Sequence, residues 1–237
     1  MKKTGIFLSV MLGIAVFSSC HKITGKGDIV SENRIVTAYT GIDLSIEGDV
    51  YYTPDSIYGL EIIAQQNVID VIETFVESGR LIIKLKDHTI LGKHDPIQIN
   101  INAPHVSAFD LSGSAAFHLF PVIRENQVSL GISGSGNIDA ATIHSDDLQV
   151  NISGSGNVVV TDGSTNFEHL NISCSGNIDL LNVVADTVYA TISGSGDIRV
   201  TVIKYLDGTI SGSGNIRYLG NPIINAHISG SGTIEPL

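Results

Sequence analysis

The chain has 237 residues, of which 43% are hydrophobic and 6% aromatic, and it contains no Trp, so its core must be aliphatic. The formal net charge is -11. Because phosphate backbones repel an acidic chain, nucleic acid is not expected among its partners. Gly is frequent, with 25 residues, but it is concentrated in a periodic motif rather than spread as in a disordered chain.

The first twenty residues are not expected to be part of the fold. Two lysines precede an apolar stretch, Gly5–Phe17, which has the length of a signal peptide and is too short to span a bilayer. The segment ends in Ser18-Ser19-Cys20, which resembles a bacterial lipobox, where small residues precede a Cys that is acylated and becomes the new N-terminus. The alternative is an ordinary secretory leader with an incidental Cys.

These features predict a lipoprotein signal peptide over residues 1–19, lipidation of Cys20 and a tether over residues 20–26. The membrane is then a partner through the acyl chains. The protein would lie in the cell envelope, at the outer membrane, on its periplasmic or its surface side. With Cys20 acylated, Cys174 has no disulfide partner, and it is expected to be a small buried thiol.

Residues 27–105 alternate apolar and polar side chains without a fixed repeat, which predicts short strands. Ser78-Gly79 lies between two apolar runs and predicts a hairpin turn, and residues 67–73 predict one helical turn. Residues 46–50 resemble a worn copy of the motif found in the rest of the chain. We expect this region to be an irregular β cap on the open end of a repeat structure.

Residues 106–237 carry a seven-residue motif, Ile-Ser-Gly-Ser-Gly-Asn-Ile, which recurs at spacings of 21, 20, 20, 20, 18 and 18 residues. The copies begin at Leu111 (a degenerate copy), Ile132, Ile152, Ile172, Ile192, Ile210 and Ile228. Recurrence at a nearly fixed period indicates a repeat architecture. A unit of this length is too short for a strand-helix-strand unit, which needs about 30 residues. Coils of two or three short strands, stacked about 4.8 Å apart, satisfy the constraint.

Within one repeat the aliphatic positions are 148, 150, 152, 158 and 160, which is the period of two of a strand. Parallel stacking in register places like residues over like, so Ile152 is expected between Ile132 and Ile172 in the core. The predicted fold class is therefore all-β: a parallel β-helix, or β-solenoid, with about seven C-terminal coils of 18–21 residues and an irregular β N-terminal cap region.

The polar residues of the motif fall on the outward face and stack into a ladder, which is either structural or an interaction face. The predicted ladder consists of Ser133, Ser135, Asn137, Ser153, Ser155, Asn157, Ser173, Ser175, Asn177, Ser193, Ser195, Asp197, Ser211, Ser213 and Asn215. Its Asn column carries a single carboxylate, Asp197, so a hydrogen-bonded Asn ladder is favoured over a calcium site. No metal and no cofactor are expected.

The chain resembles a known family through Gly25-x-Gly27, Arg34, Tyr39-x-Gly-Ile-Asp-Leu, Gly48-Asp49-Val50 and the tandem motif. These features are similar to the head GIN domain, also called the auto-transporter adhesin domain, of lipoproteins and secreted proteins in Bacteroidetes. The resemblance covers nearly all of residues 27–237. It implies a right-handed β-helix, an extracytoplasmic location and an adhesin role, and it brings no catalytic residues.

The predicted function is that of a non-enzymatic, lipid-anchored envelope protein whose repetitive polar face binds an unidentified glycan or protein ligand. Self-association through the solenoid ends is a further expectation. Tyr51, Tyr52 and Tyr58 form the one local aromatic cluster in the sequence and are candidate ligand contacts.

The alternative is a carbohydrate-active enzyme, a polysaccharide lyase or hydrolase on a pectinase-like β-helix. Such an enzyme needs carboxylates that cluster on one face. Asp139 and Asp179 share an outward column but lie two coils apart, roughly 10 Å. Carboxylates and Arg side chains converging on a groove would favour the enzyme, whereas uninterrupted Ser and Asn ladders would favour the binding role.

Overall fold

The computed structural model describes residues 21–237, so the predicted leader and Cys20 lie outside the described residues. Strands and turns make up nearly all of this part of the chain, and its helix is a single turn, α1 (Gln66–Ile69). This confirms the all-β class. Within residues 21–237, no helix is both long enough and apolar enough to cross a membrane.

The strands fall into two groups. Those of the N-terminal region are β1 (His21–Ile23), β2 (Ile29–Arg34), β3 (Gly41–Leu44), β4 (Asp49–Pro54), β5 (Gly59–Gln65), β6 (Ile72–Glu77), β7 (Arg80–Leu85), β8 (Thr89–Leu91) and β9 (Gln98–Ala103). Those of the repeat region are β10 (Ala108–Leu111), β11 (Ala116–Leu119), β12 (Ile123–Arg124), β13 (Gln127–Ile132), β14 (Asn137–Ile152), β15 (Asn157–Ile172), β16 (Asn177–Ile192), β17 (Ile198–Gly212), β18 (Ile216–Leu219), β19 (Ile223–Gly230) and β20 (Ile234–Pro236).

The repeat region is a β-solenoid, as predicted. Each coil pairs in parallel with the next, and the seven copies of the motif bound six complete turns. Between β14 and β15 the paired residues form three short segments, 137–140, 142–145 and 147–152. This agrees with a coil of two or three short strands.

The core follows the predicted period of two. The inward positions of one repeat are at most 2% exposed: Leu148, Val150, Ile152, Val158 and Val160. The first Ile of each motif lies directly over its counterpart, so that Ile152 pairs with Ile132 on one side and with Ile172 on the other. Aliphatic side chains therefore pack in continuous files along the solenoid.

The Ser-Gly-Ser-Gly segment forms a tight corner. In the copies over residues 133–136, 153–156, 173–176 and 193–196 the chain bends between two strands, so the prediction that the strand runs on through the motif is wrong there. In the last two copies the strand ends two residues later in the motif, at Gly212 and Gly230. The cause is the close approach of successive corners: a Cβ added to Gly156 would lie 1.9 Å from the carbonyl oxygen of Gly136. Only Gly permits that contact without a shift of the backbone.

Cys174 replaces the first Gly of this segment in one coil. Its thiol is exposed, so the prediction of a small buried thiol is also wrong. The strand periodicity on which that prediction rests ends at the bend, and the corner turns this position towards solvent.

The N-terminal region caps the solenoid, as expected, but its stacking order differs from its order in the chain. β3 pairs in parallel with β10 on one side and with β7 on the other, and β4 lies likewise between β11 and β9. Residues 46–50, the degenerate copy of the motif, thus belong to a coil of the solenoid. β6 and β5 then pair antiparallel with β7 and β9, and β2 with β5, which closes this end.

Two local predictions in the cap are confirmed. The β6–β7 hairpin turns at Ser78 and Gly79, whose φ angles of 49° and 78° are both positive, as a two-residue hairpin turn with positive φ at both positions requires. The helical turn expected over residues 67–73 is present as α1, which is shorter and begins one residue earlier.

Residues 21–26, expected to form a tether, are docked on the cap. β1 pairs in parallel with β8. The Asn67 side chain then bridges two main-chain groups: its Oδ1 accepts from the Lys26 N–H at 2.9 Å, and its Nδ2 donates to the Thr24 carbonyl at 2.8 Å. The chain is therefore fixed from His21 onward.

The opposite end of the solenoid is open in the described part of the chain. Ile223 in β19 is 74% exposed, and Ile228, which continues the buried Ile file, is 47% exposed. No further coil covers them among the described residues. Self-association through a solenoid end stays a prediction, and this end offers the apolar surface for it.

Candidate interaction surface

The Asn column of the motif forms a continuous hydrogen-bonded ladder. Asn157 Nδ2 donates to Asn137 Oδ1 at 2.9 Å, and Asn177 Nδ2 donates to Asn157 Oδ1 at 2.8 Å. The Asn157 main-chain N–H also donates to Asn137 Oδ1, at 3.1 Å. The amide oxygens thus satisfy groups of the next coil, and the column ties successive corners together. Its geometry supports a structural role.

The Ser side chains of the predicted ladder remain on the surface. All ten are exposed at the corners, while their main-chain N–H groups bond to the preceding coil, as Ser153 N does to the Ile132 carbonyl at 2.8 Å. Within residues 21–237, no group of three or more His, Cys, Asp and Glu side chains is arranged to hold a metal ion. Asp197, the one carboxylate of the Asn column, instead pairs with Arg217 at 3.3 Å.

The three tyrosines predicted as ligand contacts lie in different environments. Tyr52 is 2% exposed and donates a hydrogen bond to the Ala103 carbonyl, and burial raises its pKa to about 12. It cannot contact a ligand, because its position in β4 points inward. Tyr58 packs edge-on against Tyr39 at 5.2 Å. Tyr51 is 39% exposed and is the member of the three that a ligand can reach.

A second set of exposed aromatic rings lies on the face formed by β15, β16 and β17. We name Phe167, His169, Tyr189 and Tyr205 the aromatic cluster. His169 stacks on Tyr189 at 5.1 Å between ring centroids, and Tyr189 meets Tyr205 at 6.4 Å. Phe167 is 46% and Tyr189 40% exposed. This cluster was not predicted from the sequence, although the 20-residue period places Tyr189 beside His169.

A polar groove of about 1080 Å³ adjoins the aromatic cluster at Phe167. It runs along a corner of three coils and is lined by hydroxyl, amide, carboxyl and guanidinium groups, among them Arg124, Asp147 and Asn166. Asp147 Oδ2 lies 3.5 Å from His169 Nε2, which links the groove to the cluster. Asp147 Oδ1 and Ser145 Oγ are buried and have no hydrogen-bond partner in residues 21–237, so the wall of the groove holds two unsatisfied polar atoms.

The carboxylates considered for catalysis do not meet. Asp179 pairs with Arg199 at 2.9 Å, whereas Asp139 lies 3.9 Å from His118. Both belong to a charged surface along one column.

Two other carboxylates do come together, on the adjacent strands β3 and β10. Asp43 and Asp110 are register partners and both bind the guanidinium of Arg80. Burial raises the pKa of Asp110, while Arg80 opposes that rise and the Asp43 carboxylate adds to it. A pocket of about 350 Å³ lies beside the pair. Their proximity was not predictable from the sequence, because β3 belongs to the region without a fixed period.

The family model described as "Putative auto-transporter adhesin, head GIN domain" matches residues 38–222. The chain belongs to the head GIN domain family. This confirms the resemblance that the motifs indicated. No curated protein matches the sequence of this head GIN protein.

The head GIN fold is shared with several solved structures. A "putative adhesin" from Bacteroides fragilis is 24% identical, with a TM-score of 0.87 over 91% of this chain and 100% of its own. A "putative lipid binding protein" from Parabacteroides distasonis is 25% identical, with a TM-score of 0.78 over 92% and 100%. A "putative adhesin" from Parabacteroides merdae is 20% identical, with a TM-score of 0.73 over 91% and 99%.

Proposed function

We propose that this head GIN protein is a lipid-anchored, non-enzymatic adhesin of the cell envelope, which binds a glycan on the aromatic cluster and the adjoining polar groove. The family and the solved relatives described as adhesins support an adhesive role at the cell surface or in the envelope. The observation that carries the glycan assignment is the pairing of exposed aromatic rings with a polar groove on one lateral face.

Each part of this surface suits a carbohydrate. Aromatic side chains supply apolar contact area and lose little conformational entropy on binding. The hydroxyl, amide and carboxyl groups of the groove offer both donors and acceptors, as the many hydroxyl groups of a sugar require. A site with an apolar wall and a few oriented polar groups is the usual composition of a ligand site.

The test is binding of the full protein to an array of glycans and matrix proteins, with exposed aromatic residues truncated on two faces. Tyr189→Ala should weaken glycan binding about tenfold or more, because truncating a buried aromatic contact at an interface commonly costs more than 1 kcal/mol. Phe75→Ala is the matched control, since Phe75 and Tyr189 are both 40% exposed and Phe75 lies in the cap. An equal loss of glycan affinity in both variants would contradict the assignment of the aromatic cluster as the glycan site. Binding to a matrix protein alone would replace the glycan by a protein ligand.

The membrane anchor is a separate prediction. Cys20→Ala should abolish acylation and move the protein from the membrane fraction to the soluble fraction, because two or three acyl chains supply most of the membrane affinity. Fractionation and mass spectrometry of the N-terminal peptide measure this. A variant that remains in the membrane fraction would refute the lipoprotein assignment.

The second candidate function is a carbohydrate-active enzyme, and the Asp43–Asp110 pair favours it. Two neighbouring carboxyl groups beside a pocket are a known basis of glycoside hydrolysis, and burial raises the pKa of one of them, Asp110. Both groups, however, bind Arg80, which suits an ion-paired link between coils. Degradation of a polysaccharide that is lost in Asp110→Asn would favour the enzyme.

A further inference from the structure

The unpaired cations of this acidic protein are concentrated at one end. Among residues 21–237, most Lys and Arg side chains form ion pairs: Arg34, Arg80, Lys84, Arg199, Lys204 and Arg217. The remaining ones have no ion pair there: Lys22, Lys26, Lys86, Lys93 and Arg124. The four lysines of this second set all belong to the cap, and we name them the basic patch.

Main-chain hydrogen bonds bring the two segments of the basic patch together. β1 carries Lys22 alongside β8, and the Lys22 side chain crosses Gly92. The Lys93 carbonyl accepts from the N–H of Gly25 at 3.0 Å, next to Lys26. Lys86 lies in the turn that leads into β8. All four lysines are exposed, none forms an ion pair within residues 21–237, and the main-chain contacts place their two segments side by side.

The basic patch lies where the chain enters the fold. β1 begins at His21, the residue that follows Cys20. One residue spans at most about 3.6 Å, so an acylated Cys20 would bring the cap to the bilayer surface. The patch would then lie within the Debye length of about 8–10 Å over which exposed charges interact. Ile90, paired with Lys22, is 51% exposed and adds an apolar side chain to the same surface.

We propose that the basic patch docks on anionic phospholipid headgroups and holds the cap of the solenoid against the membrane. This proposal rests on the lipid anchor of the proposed function. Charge complementarity identifies the partner: juxtamembrane lysines are attracted to anionic lipids, whereas the acidic remainder of the protein is repelled. The solenoid then points away from the bilayer, with its open end outermost and the lateral aromatic cluster free to bind.

The experiment compares amide hydrogen exchange of the full acylated protein in two kinds of vesicle, phosphatidylcholine alone and phosphatidylcholine with about one third phosphatidylglycerol. Residues 21–26 and 86–93 should exchange about threefold more slowly, or slower still, in the anionic vesicles. High salt should remove that difference.

Two variants with the same change in net charge provide the control. Lys22→Gln, Lys86→Gln and Lys93→Gln together should abolish the difference between the vesicles. Ser133→Glu, Ser173→Glu and Ser211→Glu together change the charge by the same amount on exposed corners and should retain it. If mass spectrometry shows that the protein is acylated but its amides exchange equally in both kinds of vesicle, the proposed docking of the basic patch is wrong. If the protein carries no acyl chains, the proposed lipid anchor is wrong instead.

Discussion

Truncating Ile172 to Ala is expected to lower the free energy of unfolding by about 2–5 kcal/mol. Ile172 is 1% exposed, and in register it lies between Ile152 in the coil below and Ile192 in the coil above. The substitution removes buried apolar surface and leaves a cavity that three coils share. Because neighbouring coils are held in register by their main-chain hydrogen bonds, they cannot collapse fully into the space. Urea unfolding of both proteins measures the loss.

Ser153→Ala is the matched control. Ser153 directly follows Ile152, which belongs to the same file of stacked Ile side chains as Ile172. Ser153 is exposed at its corner, and its main-chain N–H keeps the bond to Ile132 in the variant. We expect a change within about 0.5 kcal/mol. A similar loss at Ile172 and at Ser153 would show that the Ile file is not a closed core and would remove the structural basis of the lateral binding face.

Replacing Glu168 by Leu is expected to stabilise the protein by about 1–3 kcal/mol. Glu168 occupies a file of aliphatic side chains, with Leu148 below it and Val188 above it. It is fully buried, and by distance and angle neither carboxyl oxygen makes a hydrogen bond in the described part of the chain, although the Thr165 hydroxyl lies close by. Leu matches the side chain that the neighbouring coil has at this position, so the variant removes the desolvation cost with little change in packing.

The same residue makes stability depend on pH. Burial raises the pKa of Glu168 well above its usual value, and the Thr165 hydroxyl only partly opposes the rise. The folded protein therefore holds this proton at pH values where the unfolded chain has lost it. The stabilisation that comes from the protonated Glu168 carboxyl is complete below the unfolded-state pKa, about 4.5. It is lost as the pH rises through the folded-state pKa.

Glu168→Gln tests this dependence, because it keeps the shape of the side chain and cannot ionise. Relative to the variant, the natural protein should lose stability between pH 5 and pH 8 in urea unfolding. A constant difference between the two proteins over that range would mean that the carboxyl group does not titrate with a raised pKa.

The repeat region was predictable because in-register stacking converts a sequence period into contacts. Once residues 20 apart are neighbours, the Ile file follows directly, as do the Asn ladder and the Tyr189–His169 stack. The period also places Glu168 between Leu148 and Val188. Cys174 could not be placed from strand periodicity, because the motif bends at that point.

The cap and the basic patch had no comparable signal. The pairing of β3 with both β7 and β10 joins segments with no common repeat, and it brings Asp43 beside Asp110. The patch is assembled from residues 22–26 and 86–93 by the β1–β8 pairing. In the sequence the two segments are separated by residues 27–85, and each contains only two lysines, so no continuous basic run marks the patch.

The inverted stacking order of the cap gives the solenoid a direction of assembly. The coil formed by β3 and β4 gains neighbours on both sides only when residues 80–119 are available. When the chain folds from its N-terminus, the strands of this coil are present before their partners, and closing these long loops is entropically costly. Each later coil finds its template already in place about 20 residues upstream. We therefore expect the cap to fold first and the coils to add onto it in chain order, ending with the exposed last coil.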